Sequence, residues 1–416
     1  MSKLAINGGT PVRTEDFPEW PVYDEKDYSA LKQVLESRRW FSGMLGSDEE
    51  SEVGTFEKEF REHLKVNHVA AVSNGSAALE ISLKSVGVGA GDEVIIPAYT
   101  FVATATAVLR NNAVPIMVDI EPDYYCIDPD EIEAAITSKT AAIVPVHFGG
   151  QIANMDRINS IAESHEIPVV EDAAHAHGSV YKGKYAGNFG DAGCFSFQES
   201  KVLTSGEGGA VVTNDDGLDR LVRSYRSCGR NEGRHWYEHF RLGGNYRMTE
   251  FQGALLQSQL DRLPDQVRKR TRNGKFLSDS IAKIAGFDPV KDSPGMDQNS
   301  HYYYIVNIDR DVFPEADKRT LIDALNAEGI PANEGYPFPL TENAMFREEN
   351  WDKYGSPYTS DYYGKEYNVK EFDIPVTERA CRDTIIIPQR VLLADRVEVQ
   401  DVVDSFAKLS SELKSG

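Results

Sequence analysis

Short runs of β-branched and other apolar residues alternate with helix-patterned segments through the first half of this 416-residue chain, and that alternation limits its folds more than any other feature. Strands are expected at Val69–Val72, Glu93–Pro97, Pro115–Val118, Ala142–Val146, Pro168–Glu171, Gly193–Phe197 and Ala210–Thr213. Helical segments separate most of them, including 77–86 and 156–164, where Ile158, Ile161 and Ala162 share a face. The pattern predicts an α/β fold: a mostly parallel seven-stranded sheet covered on both sides. Ligands of such sheets collect at the carboxyl ends of the strands.

Three chemistry-bearing segments fall at strand ends. Lys201 stands five residues after Ser196 and just before the turn Thr204-Ser205-Gly206-Glu207-Gly208-Gly209. A lysine in a partly desolvated pocket is a nucleophilic amine, able to condense with an aldehyde and to move protons between carbon centres. Asp172 directly follows the strand that begins at Pro168. It is a candidate helix cap, and equally a candidate partner for a protonated pyridine nitrogen. Asn74-Gly75-Ser76 opens an Ala-rich helix, and a helix start binds phosphate through its free N–H groups and dipole. Ser196 offers a further hydroxyl to a phosphate, His175 a ring nitrogen to a phenolic oxygen, and Phe101 a face on which a flat ring can stack. An amine, a carboxylate and a phosphate cradle are what pyridoxal phosphate requires of a protein.

Composition narrows the partners. The chain carries 44 Lys and Arg against 66 Asp and Glu, a formal charge of −22, which disfavours nucleic acid and anionic membranes. Acidic clusters at Asp48-Glu49-Glu50 and from Asp361 to Asp373 read as solvated surface. Against this background Arg220, Arg223, Arg226, Arg230, Arg234, Arg241 and Arg247 form a local positive region. It is read either as solvated helix and loop or as a loop attracting an anionic amino donor or substrate. The four cysteines are scattered, without metal-ligand spacing, so reduced thiols in a cytoplasmic protein are expected, and Cys194 is read as packing. Met1–Gly9 lacks the apolar segment of a secretory signal, and no run approaches membrane-spanning length.

The expected organisation is an N-terminal arm (1–25) lying on a surface, a large cofactor-binding domain (26–269) and a smaller C-terminal α+β domain (270–416). A helix is expected from near Asp27, and another from Thr249 towards Phe276, bent at Pro264. Beyond it, Tyr302–Val306 reads as a strand, and 318–328 and 401–409 as helices.

The motifs together resemble the DegT/StrS-type sugar aminotransferases, a branch of the fold-type I pyridoxal phosphate enzymes. The likeness rests on Ser73-Asn74-Gly75-Ser76-Ala77-Ala78-Leu79, Gly91-Asp92-Glu93-Val94-Ile95, Thr100-Phe101-Val102-Ala103-Thr104, Pro145-Val146-His147, Glu171-Asp172-Ala173-Ala174, Phe195-Ser196-Phe197, Gly206-Glu207-Gly208-Gly209 and Gly244-Asn245-Tyr246-Arg247-Met248. The resemblance implies that Lys201 bonds the cofactor aldehyde and shuttles protons, that Asp172 pairs with the pyridinium nitrogen, and that Phe101 stacks on the ring. Gly75, Ser76 and Ser196 would hold the phosphate. Asn245 would reach the phosphate of a neighbouring subunit, implying a homodimer with shared active sites. Arg247 and His147 are substrate-side candidates. The family often has Gln at the position of His175 and Thr at that of Ser205. The His here, with Phe195-Ser196-Phe197-Gln198-Glu199-Ser200-Lys201, is more similar to cyclitol aminotransferases and aminohydroxybenzoate synthases. Three functions are therefore carried forward. The first is amino transfer from glutamate or glutamine to a keto sugar, keto cyclitol or related polyol. The second is dehydration or aromatisation with the same cofactor, and the third a cofactor-binding regulator without catalysis. Trp40, the arginine-rich loop and Gly335–Pro339 are the expected walls of the acceptor pocket.

Overall fold

The computed structural model describes residues 3–43, 50–347, 350, 361 and 363–413. Asp48 and Glu49 of the first acidic cluster lie outside the described residues. Helices α1 (Glu25–Ser37) and α2 (Glu52–Leu64) precede the sheet strands β1 (His68–Val72), β2 (Glu93–Pro97), β3 (Val114–Val118), β4 (Thr140–Ile143) and β5 (Val170–Asp172). A two-stranded ribbon, β6 (Val180–Tyr181) and β7 (Lys184–Tyr185), leads to β8 (Ala192–Ser196) and β9 (Gly209–Thr213). Strands β3, β2 and β4 pair in parallel, as do β5 and β8, whereas β9 runs antiparallel between β8 and β1. Parallel bridges Ile143–Val169 and Val146–Asp172 join the two groups. The sheet order is thus β3-β2-β4-β5-β8-β9-β1, seven strands and mostly parallel.

Two expected strands shift, and proline explains both. Pro145 lacks an N–H, so β4 ends at Ile143 and Val146 is left as a single bridge to Asp172. Pro168 likewise cannot donate, and the regular part of β5 moves forward to include Asp172.

Period-two alternation sends neighbouring strand residues into different cores. Val69, Ala71, Phe195, Ala210 and Val212 pack with Phe56 and Phe60 of α2, Ile158 of α6 (Met155–His165) and Leu256 of α8 (Glu250–Ile281). Ala70, Val72, Cys194 and Val211 face the other way, onto Leu79 of α3 (Gly75–Ser85), Val108 of α4 (Val102–Arg110) and Val222 of α7 (Asp216–Arg226). The short α5 (Pro129–Ala135) completes the series of helices. Cys194 is a packing residue: burial pushes its thiol up, and its Sγ lies 3.2 Å from Ser82 Oγ. Helix α8 carries Pro264 inside 32 unbroken residues and ends five residues beyond Phe276. Its contacts with α1 and α2 hold it across the hydrogen bond that the proline deletes.

A third core forms around an antiparallel sheet of β10 (Phe287–Pro289), β12 (Tyr303–Ile308) and β13 (Thr384–Pro388), while β11 (Met296–Gln298) pairs with β6. Helices α9 (Lys318–Ala327) and α11 (Arg396–Leu413) cover it, and α10 (Pro375–Asp383) leads into β13. The N-terminal segment docks on this core of its own chain. Leu4 and Phe17 are buried in it, Arg13 pairs with Glu398 and Asp401, and buried Glu328 accepts the Ala5 and Val12 N–H groups.

His177 is fully buried against Phe195 and Phe197. Burial, aided by the charge of Lys201, pushes it down from its usual 6.5 to about 3. Between those values the unfolded chain binds the extra proton, so stability is full above about 6.5 and falls as the pH drops towards 3. Denaturant unfolding between pH 6 and 4.5 is expected to show that slope. His177→Leu is expected to reduce it by up to about 1.4 kcal/mol per pH unit, and an unchanged slope would contradict the assignment.

Candidate active site

Seven of the sequence-selected residues line one cavity of about 1220 Å³ at the carboxyl ends of β5 and β8: Gly75, Ser76, Phe101, Asp172, His175, Ser196 and Lys201. Lys201 is held by a turn between β8 and β9 that is tied by its own backbone. Phe197 donates to Gly208 O at 2.8 Å, Glu199 to Gly206 O at 2.9 Å, and Ser205 to Phe197 O at 3.1 Å. Gly206 takes φ +83°, a left-handed conformation that glycine adopts without steric cost. The Lys201 ammonium sits 4.4 Å above the ring of Tyr302. That ring packs on His175, centroids 4.1 Å apart, and its hydroxyl bonds Ser200 Oγ at 2.7 Å.

Asp172 is buried at the end of β5, where its backbone N–H donates to Pro145 O. Its carboxylate accepts from Thr104 Oγ1 at 3.0 Å and from Ala174 N–H at 3.2 Å. Burial nevertheless raises its pKa; these two bonds and the Lys201 charge pull the other way without restoring the ordinary value. His175 Nδ1 accepts from Gly149 N–H at 3.4 Å, which leaves Nε2 as the protonated donor. Burial, reinforced by the Lys201 charge, holds this imidazole well below 6.5 and hence neutral.

At the start of α3, Asn74 caps the helix by accepting from Ala77 N–H at 2.8 Å, and its carbonyl takes Ala78 N–H. The N–H groups of Gly75 and Ser76 precede any intrahelical acceptor. A Cβ on Gly75 would stand 2.7 Å from Ser196 Cβ, so glycine is what lets Ser196 close against this helix end.

These residues fit pyridoxal phosphate. Two helix-start N–H groups and two serine hydroxyls suit a phosphate, and the under-compensated buried carboxylate suits a ring cation. Phe101 is 58% exposed although it lines the cavity, an aromatic surface for a planar ring to cover.

Other expected residues lie elsewhere. His147 is wholly buried: its Nε2 is 2.8 Å from Glu171, and its Nδ1 accepts from Ala153 N–H, so both nitrogens are spent inside the fold. Glu171 is further fixed by the N–H groups of Gly187, Phe189 and Gly190. Arg247 bonds Ser227 Oγ and stacks over Phe41, outside the cavity lining. Asn245 is exposed and also outside the lining, and Trp40 packs on Phe251. Five of the seven arginines line a different cavity. Of the expected acceptor walls, Tyr336 is the residue that reaches the catalytic cavity. Tyr302 and Tyr303 also line it and were missed; the run Tyr302-Tyr303-Tyr304 was the available signal. Thr104, the hydroxyl donor to Asp172, was legible as one α-helical turn beyond Thr100.

Residues 21–361 match the model of the DegT/DnrJ/EryC1/StrS aminotransferase family. The chain is 38% identical over 417 residues to the L-glutamine:2-deoxy-scyllo-inosose aminotransferase of Streptoalloteichus tenebrarius, covering 98% of this chain and 97% of that protein. It is 36% identical over 420 residues to the enzyme of the same name from Micromonospora echinospora, with 98% of each covered. Among solved structures, a 3-amino-5-hydroxybenzoic acid synthase superposes with a TM-score of 0.83 at 33% identity, over 96% of this chain and all of that one.

Gly75→Ala forces Ser196 away from the helix start. It is expected to weaken pyridoxal phosphate binding about tenfold or more in absorbance titrations of the apoprotein. Wild-type affinity in this variant would show that the cradle lies elsewhere.

Proposed function

The chain belongs to the DegT/DnrJ/EryC1/StrS aminotransferase family, and from that premise we propose that it transfers the amino group of glutamine to a keto cyclitol, using pyridoxal phosphate. The observation that carries this reading is one cavity lined by Lys201, Asp172 and the start of α3 in a chain so similar to glutamine-dependent inosose aminotransferases. When bound, the cofactor supplies an aldehyde that carries the amino group and a ring that spreads negative charge from the donor's α-carbon.

The roles of the residues follow from their surroundings. Asp172 would hold the ring nitrogen protonated, because a cation compensates a carboxylate that burial otherwise destabilises. His175, held neutral by burial, would offer its Nε2–H to the phenolic oxygen. Gly75, Ser76 and Ser196 would hold the phosphate, and Phe101 would offer its ring to the cofactor ring. Once the donor is seated, the Lys201 amine takes the proton from its α-carbon. In the second half of the cycle Lys201 delivers a proton to the former carbonyl carbon of the acceptor. The ring of Tyr302 supports the lysine while it is charged.

Asn245 is assigned to a neighbouring copy's phosphate in a homodimer. It is exposed and outside the lining of its own cavity, on a segment that also exposes Trp236, Tyr237 and Leu242.

The likeness to 3-amino-5-hydroxybenzoic acid synthase favours one second reading, water loss from an aminated or keto ring. Product analysis separates the two: 2-oxoglutaramate formed one-for-one with an amino cyclitol supports transfer, and dehydration without net amino transfer supports the alternative.

Lys201→Ala is expected to abolish turnover, at least about 10⁴-fold, together with the visible absorption of the loaded enzyme. Transamination retained in that variant would refute the assignment.

A further inference from the structure

The arginine cluster has no part in the catalytic cavity of its own chain. Five of its seven members line a second cavity of about 660 Å³, within the size range of small-molecule sites, that shares no lining residue with the first. Seven Lys and Arg side chains face three carboxylates there, in a protein whose formal charge is −22. Two of the three carboxylates are already engaged. Glu57 is buried and binds Arg223 at 3.1 Å and Arg226 at 2.8 Å, and Asp219 binds Arg223 at 2.9 Å. Glu232 is the remaining acidic group and is exposed.

This buried network fixes the cavity floor. Arg226 also reaches Ala71 O on β1, and Arg223 reaches Val69 O, so strand β1, α2 and α7 are clamped together beneath the opening. Around the rim stand Lys58 and Arg61 on α2, Arg220 on α7, and Arg234 on the loop that follows. None of these four makes an ion pair with a carboxylate among the described residues. Cations without a salt-bridge partner, from three chain segments around one concavity, leave a focused positive potential. A single oxyanion cannot span them, whereas a ligand with two or more oxyanion groups can, and guanidinium forks match phosphate and carboxylate oxygens pairwise.

We propose that this cavity is a binding site for a small polyanion carrying at least two phosphate or carboxylate groups, separate from the site of amino transfer. Loop 230–241, which forms one wall, runs on to Tyr246, a residue lining the catalytic cavity. The chain itself therefore connects the two sites.

Calorimetric titration of the cofactor-loaded protein, its own phosphate site being filled, tests this with pyrophosphate and separately with citrate. Saturable binding of one anion per chain is expected, weaker at about 0.15 M salt than at low salt. R61Q/R220Q should lose about tenfold or more in affinity, and R61K/R220K, which keeps the charge but not the fork, should lose less. Turnover without added anion should be unchanged in both, which shows the fold intact. Preference for pyrophosphate assigns the site to phosphorylated ligands, and preference for citrate to polycarboxylates. No saturable heat with either anion, or equal affinity in R61Q/R220Q and wild type, overturns the proposal.

Discussion

A carboxylate buried with too few partners organises the catalytic cavity. Asp172 ends β5 beneath the opening, with one hydroxyl and one backbone N–H as its hydrogen-bond donors, and burial keeps its pKa above the usual aspartate value. Such a group is costly unless a cation meets it. The Lys201 ammonium supplies part of that compensation, and it also sits over the Tyr302 ring. The remainder is what a protonated ring nitrogen would provide. The same burial that makes Asp172 hungry for a cation keeps His175 neutral, so two adjacent groups acquire opposite roles from one physical cause.

The sheet is what places these groups. Period-two alternation buries both faces of the strands, and the parallel order from β3 to β8 delivers the ends of β5 and β8 to one edge beside the start of α3. Glu171, one residue from the site, anchors the interior side: it takes three backbone N–H groups and the His147 ring. That anchoring explains why His147, beside the site in sequence, serves the fold instead.

Much of this was legible in the residues. Strand periodicity located the sheet to within a few residues, and its errors fell at Pro145 and Pro168, where a missing N–H shifts the pairing. Lys201, Asp172 and Gly75-Ser76 were legible because each combines a reactive or flexible residue with a strand end. Tyr336 lay within the expected wall Gly335–Pro339, but Tyr302 and Tyr303 were not anticipated, because they enter from a strand about a hundred residues beyond Lys201 and the tyrosine run does not report which face meets the cavity. The arginine cluster was visible as charge, yet its position was not: Glu57, far upstream, decides where Arg223 and Arg226 point.

The central claim is that Asp172 keeps the cofactor ring nitrogen protonated. The most direct measurement is the nitrogen NMR shift of pyridoxal phosphate labelled with ¹⁵N in the ring and bound to the wild-type protein and to Asp172→Asn. The account predicts a pyridinium shift in the wild type and a neutral-pyridine shift in the variant, at the same pH near neutrality. The same shift in both proteins would contradict it.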